Sequence, residues 1–306
     1  MAAKKPIVVV GSINMDLVAD TPRIPHAGET LTGTNFTTTP GGKGANQAVA
    51  VARLGYPVYM VGMVGEDVFG QALLDNLQSV GVITDAVARV SGPSGVAPIL
   101  VSSTGENSIV VVPGANGKVT PDFIDLKSAL LRSAAIVLCQ LELPMETVTH
   151  TLDICAKADV PVILDPAPAA PLPESLWTHV TWFTPNVTEA AFYVGGGATN
   201  PEATAEKLFA RGLGGVVLKR GSDGVWIALN GASGVSVPAF AVAAVDTVAA
   251  GDCFNGAFAV AQLEGRDAVA AARFASAAAA ISVTRRGAQA SMPNRAEVDA
   301  FLAGQT

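Results

Sequence analysis

Six short apolar runs punctuate the chain: Ile7–Val10, Val58–Val61, Ile136–Leu138, Val162–Leu164, Thr181–Phe183 and Val216–Leu218. None sustains the alternation of a strand with one wet face, so each reads as a strand covered on both sides. Between most of them lie helical patterns, Ala45–Leu54, Phe69–Ser79, Met145–Ala158 and Pro201–Arg211, and Gly55 and Gly81 close the first two. Alternation of this kind predicts an α/β fold, a mostly parallel central sheet flanked by helices on both faces. The alanine-rich stretch Ala268–Ala280 is low in complexity, and its spacing predicts a closely packed helix.

Two segments break the rhythm. Asp16 to Thr39 is rich in Thr, Pro and Gly, and in Val96 to Val112 the runs Ile99–Ser102 and Ser108–Val112 flank the turn Thr104-Gly105-Glu106-Asn107. Both read as antiparallel strands. A small separate sheet inserted this early predicts a lid, from segments of about 14–40 and 96–112, over the edge where open α/β sheets bind ligands. With no long linker and no internal repeat, residues 1–306 read as a single domain.

Charge narrows the partners. The formal net charge is −7, and the 19 Lys and Arg residues are scattered, which argues against nucleic acid or an anionic membrane. The basic start from Met1 to Pro6 is followed by an apolar run too short for a signal peptide or a membrane span, so a soluble cytoplasmic protein is expected. Cys139, Cys155 and Cys253 are widely spaced and odd in number, and with three dispersed histidines they form no zinc pattern; reduced, inert thiols are expected.

Asp246-Thr247-Val248-Ala249-Ala250-Gly251-Asp252-Cys253-Phe254-Asn255-Gly256 leads small residues straight into a helix-forming run. The first amides of a helix lack partners and its dipole is positive there, so Ala249, Ala250 and Gly251 are placed to hold phosphoryl oxygens while Asp252 takes a proton. Phosphoryl transfer to an alcohol is the chemistry such a pairing suits. Gly41-Gly42-Lys43-Gly44-Ala45-Asn46-Gln47 is a second loop before a helix; it is either a tight turn or a place where amides and Asn46 meet a polar ligand. It is not a Walker A loop, and Gly11-Ser12-Ile13-Asn14 is not a dinucleotide fingerprint.

Asn14 and Asp16 follow the first strand, where two short polar side chains suit a diol or sugar or else form an Asx turn. Glu142, after another strand, is a sugar ligand or merely solvated. Asn186 and Glu189 fit a capping box, or else nucleotide phosphate and water-held Mg²⁺ respectively. Lys219-Arg220-Gly221-Ser222-Asp223-Gly224 fits a plain hairpin or a wall beside a nucleotide.

Taken together and in order, these segments resemble the PfkB family of carbohydrate kinases, and within it the ribose branch. Gly11–Asp16, Pro25-His26-Ala27-Gly28-Glu29-Thr30, Gly41–Gln47, Gln140-Leu141-Glu142, Asp165-Pro166-Ala167-Pro168, Pro185–Glu189, Asp246–Gly256 and Thr284-Arg285-Arg286-Gly287-Ala288-Gln289 carry the resemblance over nearly the whole chain. It implies transfer of the ATP γ-phosphate to the 5-hydroxyl of D-ribose, or, in other branches, to 2-deoxyribose, fructose or adenosine. It also implies a homodimer formed through the lid.

By the same resemblance Asn14, Asp16, Gly42, Asn46 and Glu142 would hold the sugar, with Asp252 as base. Phosphate would meet the amides of Ala249–Gly251, Asn186 and Lys43, with Glu189 acting on Mg²⁺ through water. Adenine would lie between Lys219–Gly224 and the helix of Ser276. K⁺ would sit among Asp246, Val248, Ser282, Arg285, Gly287 and Ser291. Cys253 and Ser276 stand where relatives commonly carry Thr and His.

Overall fold

The structure, a computed structural model, describes residues 4–198 and 200–305, so Met1–Ala3 of the basic start lie outside the described residues. Its strands are β1 (Ile7–Val10), β2 (Asn14–Thr21), β3 (Asn35–Gly41), β4 (Val58–Gly65), β5 (Val87–Val90), β6 (Gly95–Ser102), β7 (Asn107–Ile109), β8 (Ile136–Cys139), β9 (Val162–Leu164), β10 (Trp182–Phe183), β11 (Gly215–Lys219), β12 (Val225–Leu229) and β13 (Val235–Val237). Its helices are α1 (Lys43–Arg53), α2 (Val68–Ser79), α3 (Pro121–Asp125), α4 (Ser128–Ser133), α5 (Met145–Lys157), α6 (Val187–Val194), α7 (Pro201–Phe209), α8 (Ala250–Leu263), α9 (Ala268–Ser282) and α10 (Arg295–Ala303).

Nine strands form the main sheet, in the order β13-β12-β11-β10-β9-β8-β1-β4-β5. From β5 across to β11 every pairing is parallel, and β12 and β13 extend the sheet antiparallel. In β1 all four side chains are fully buried, and their alternation feeds two cores. Ile7 and Val9 join a core with Ala45, Val49, Phe254, Phe258 and Phe274 from α1, α8 and α9, while Val8 and Val10 join one with Val148 and Leu152 of α5. Burial on both faces is why a run of consecutive β-branched residues suits this strand.

The second sheet has the order β3-β2-β6-β7. The expected antiparallel strands are present, β2 with β3 and β6 with β7, and the two segments join through β2 and β6, which pair parallel along the whole length of β2, Asn14 against Gly95 to Thr21 against Ser102. The chain returns to the sheet after β4, α2 and β5, a crossover long enough to allow the parallel pairing that a tight turn forbids. β7 ends at Ile109, short of the expected Val112, which makes only an isolated bridge to Val96.

α1 and α8 cross closely because Gly256 carries no side chain. A Cβ there would come within 2.6 Å of Ala50 Cβ and 2.9 Å of Gln47 O. Gly256→Val should therefore force the two helices apart and cost about 1–3 kcal/mol. Denaturant unfolding reads the loss, and a midpoint equal to the parent's would show that the contact is not limiting.

Candidate active site

Parallel strands point their carboxyl ends to one edge of the main sheet, and the polar residues singled out above collect there. Gly11–Asn14 follow β1, Gln140–Glu142 follow β8, Asp165 follows β9, Asn186 follows β10, and Lys219 ends β11. α1 and α8 begin at the same edge. In α2, α6, α7, α9 and α10 an Asp or Asn side chain caps the first turn, whereas α1 and α8 start at Gly42 and Ala249 with no side-chain cap of their own.

The starts of α1 and α8 are resolved differently. At α1, Glu142 Oε2 accepts the Lys43 N–H at 3.1 Å, Ser12 Oγ and O accept those of Gly44 and Ala45 at 3.4 and 2.9 Å, and Ser12 Oγ donates to Glu142. These amides are thus taken by the protein, and Glu142 acts as a cap supplied from another strand. Gly42 makes the turn at φ 86°, where a Cβ would lie 2.7 Å from Asn14 N.

At α8, Ala250 N–H reaches Thr247 O at 3.3 Å and Cys253 N–H reaches Ala249 O at 2.9 Å, but among the described residues no acceptor meets the amides of Gly251 and Asp252. Ala249 sits in the left-handed region at φ 58°, a strained conformation for a residue with a Cβ. Of the three amides expected to form an anion hole, that of Ala250 is therefore already engaged.

Asp252 is 4 % exposed. Its Oδ2 accepts from Asn46 Nδ2 at 2.9 Å and its Oδ1 from Gln47 Nε2 at 3.2 Å. Burial pushes the carboxyl up to about 6; Lys43 pulls down, Asp165 pushes up, and the two amide donors pull down. Lys43 loses stability as a cation through burial, yet Asp252, Asp165, Glu142 and Glu189 more than restore it, so its pKa is raised.

Asn14 and Asp16 stand on β2. Asn14 Oδ1 accepts from the buried Asn116 Nδ2 at 2.7 Å, which leaves its own amide nitrogen free to donate. The Asp16 carboxyl accepts no hydrogen bond among the described residues. Burial, then Glu142 and Asp252, push it up to about 7.

A cavity of about 820 Å³ opens beside Asp252. Lys43, Asp165, Asn186, Glu189, Lys219, Gly221, Ser222, Gly224, Gly251 and Ser276 all line it. Arg220 and Asp223, expected there too, do not. The hairpin between β11 and β12 closes on itself, with Arg220 Nη2 donating to Asp223 O at 3.2 Å and Asp223 N–H to Arg220 O at 3.1 Å.

Lys219 turns inward, its Nζ 3.0 Å from Asp165 Oδ1 and 3.3 Å from where a Cβ on Gly251 would stand. Asn186 and Glu189 form the capping box, both Glu189 oxygens receiving Asn186 donors at 2.8 and 2.9 Å. The Ser276 hydroxyl is buried without a partner on the cavity's wall. Cys253 is 2 % exposed, and burial pushes its thiol up to about 12, so the inert reading fits.

Asp246 ties the turn before α8 to the loop after α9. Its Oδ1 accepts from Val248 N at 3.0 Å and its Oδ2 from Gly287 N at 2.9 Å. Ser282 and Ser291 turn their hydroxyls onto Ala279 O and Ala288 O, each at 2.8 Å, and Arg285 pairs with Glu297 at 2.5 Å.

Three residues at the centre of the network were given no role by sequence reasoning: Gln47, Gln140 and Asp165. Each lay inside a quoted motif at a strand end or helix start, and that placement was the one available signal.

The sequence pattern of the pfkB family carbohydrate kinases matches residues 4–295. The chain belongs to the PfkB family. A ribokinase of Bacillus subtilis (strain 168) is 45 % identical over 296 residues, 97 % of this chain and 99 % of that one. A deoxyribokinase of Salmonella typhi is 38 % identical over 302 residues, 97 % and 98 % of the two chains. Among solved structures, Arabidopsis thaliana ribokinase complexed with ribose and ATP superposes with a TM-score of 0.93 at 38 % identity, over 98 % of this chain and 99 % of that one. No helix among the described residues is long and apolar enough to cross a membrane.

Proposed function

We propose that the protein is a ribokinase, transferring the γ-phosphate of ATP to the 5-hydroxyl of D-ribose. The observation that carries the chemistry is the buried Asp252, held by two amide donors beside the unpartnered amides of Gly251 and Asp252. Full-length similarity to ribokinases supports the substrate.

Asp252 accepts the hydroxyl proton as the bond to phosphorus forms. Each of its oxygens takes one protein donor, which leaves a lone pair for the acceptor hydroxyl. The free amides at the start of α8 and the Lys43 ammonium stabilise the equatorial oxygens, and in-line placement supplies the rest. The sugar binds against Asn14, whose amide nitrogen is free, and Asp16, whose carboxyl is unpartnered and well placed to accept from a hydroxyl. Adenine occupies the apolar end of the cavity near Phe240 and Val283, where the Ser276 hydroxyl lacks a partner.

Residues on the cavity wall fit a magnesium nucleotide: Glu189 would hold the ion through water and Asn186 would meet phosphate. Mg²⁺ bound with ATP neutralises charge on the phosphate chain. K⁺ would be held among Asp246, Val248, Ser282, Arg285, Gly287 and Ser291, where a shell of backbone oxygens would suit a large, weakly hydrated ion, and Asp246 already braces that turn against Gly287. The second reading, a kinase for 2-deoxyribose, is favoured by the deoxyribokinase similarity.

Dimerisation through the lid is supported by its apolar surface, where Phe36, Ile109, Val110, Val111 and Val112 are all exposed. Sedimentation at micromolar concentration should give twice the chain mass, and a monomer would remove this part of the reading.

ADP release from MgATP should be fastest with ribose among ribose, 2-deoxyribose, fructose and adenosine, and faster in K⁺ than in a bulky organic cation at equal ionic strength. Preference for another alcohol would overturn the ribose assignment, and indifference to K⁺ the cation site. Asp252→Asn should lower turnover about 10²- to 10⁴-fold. A raised carboxyl is protonated below its pKa, so kcat/KM of the parent should fall as pH drops through about 6. Near-normal turnover by Asp252→Asn would remove the base.

A further inference from the structure

Gln47 is fully buried on α1, and its amide nitrogen has both hydrogens committed: one to Asp165 Oδ2 at 3.1 Å, the other to Asp252 Oδ1 at 3.2 Å. Its oxygen accepts from Gln140 Nε2 at 2.7 Å. These contacts allow one orientation only, because carboxylates accept and cannot face an amide oxygen, and Gln140 must then present its nitrogen. Gln140 keeps that orientation although its own Oε1 is buried without a partner, pressed toward Gly11.

We propose that Gln47 is a positioning residue of the transfer reaction, a carboxamide locked by Gln140 that bridges Asp165 and Asp252 and aims the Asp252 carboxylate at the acceptor hydroxyl. The proposal rests on Asp252 being the base. A neutral bridge is what the chemistry needs. A cation in its place would stabilise ionised Asp252 so far that it became a poor base, while no bridge at all would leave two buried carboxylates facing one another.

The charged groups around Asp252 are accounted for: Lys43 at the start of α1, Asp165 after β9 with Lys219 on its far oxygen, and Asp16 on β2. Donation from Gln47 pulls the Asp252 carboxyl down while Asp165 pushes it up.

The test is the pH profile of kcat/KM together with a nuclear magnetic resonance titration of the Asp252 carboxyl in the unliganded protein, which needs no turnover. Gln47→Met should raise the acid limb and the Asp252 titration by about one pH unit. It should also lower kcat about tenfold or more while the sugar KM stays within about threefold. Gln140→Met, which touches neither carboxylate, should move both in the same direction by less. Adding Asp165→Asn to Gln47→Met should bring the limb back down, a rescue that a merely structural role does not give. A folded Gln47→Met with the parent's titration overturns the proposal; should that variant not fold, an unshifted Gln140→Met does so. A parent without phosphoryl transfer would sink the functional reading, while the Asp252 titration still decides the bridge.

Discussion

The hydrogen bonds from Asn46 and Gln47 to the two oxygens of Asp252 are the contacts about which the site is arranged. A carboxylate taken from water is costly unless donors replace the lost solvent, and a base that is over-stabilised loses its affinity for a proton. Two neutral amides supply an intermediate solution. They oppose the upward push of burial, which leaves the carboxyl at about 6, and both come from α1, whose approach to α8 depends on the bare Cα of Gly256. Packing between two helices is therefore also the geometry of the proposed base. A second close approach seats the start of α1 on the end of β1, where a Cβ on Gly44 would lie 2.6 Å from Gly11 C.

Much of this architecture was legible beforehand. Runs such as Ile7–Val10 and Val216–Leu218 announce themselves because a strand buried on both faces must be apolar throughout. β5 and β13 did not, since they lie at the two edges of the main sheet and carry exposed residues such as Arg89 and Ser236. The parallel pairing of β2 with β6 was also hidden. Strand periodicity tells which face a residue takes, but the direction of a partner many residues away is settled by how the intervening β4, α2 and β5 fold back.

The site divides in the same way. Ala249 to Asp252 are adjacent in sequence, so the coincidence of small residues, a helix start and a carboxylate could be read directly. The bridge could not, because Gln47 is 205 positions from Asp252, 118 from Asp165 and 93 from Gln140. A glutamine in a helix carries no periodic signal that reveals its partners. Capping of α1 by Glu142 is hidden for the same reason, across 99 positions. What local reading did supply was the sheet edge on which these residues had to meet.

Strain and unmade bonds at the start of α8 complete the physical account. Ala249 holds a left-handed conformation, and the Gly251 and Asp252 amides face a cavity with no protein acceptor. Lys219 adds a cation close to the positive end of the same helix, held there by Asp165. In a protein of net charge −7, this brings two ammonium groups, Lys43 and Lys219, onto the wall of one cavity. Each feature disfavours the empty site and favours an anion in it, so binding energy from the phosphate chain offsets a cost already built into the fold. The neighbouring carboxylates balance these cations: Asp165 pairs with Lys219, and Asp252, its carboxyl raised by burial to about 6, balances Lys43 until it takes a proton. On the proposed mechanism, proton uptake by Asp252 removes negative charge next to the phosphoryl group as transfer proceeds, so the side chain proposed to activate the alcohol would also lower the repulsion the phosphate meets.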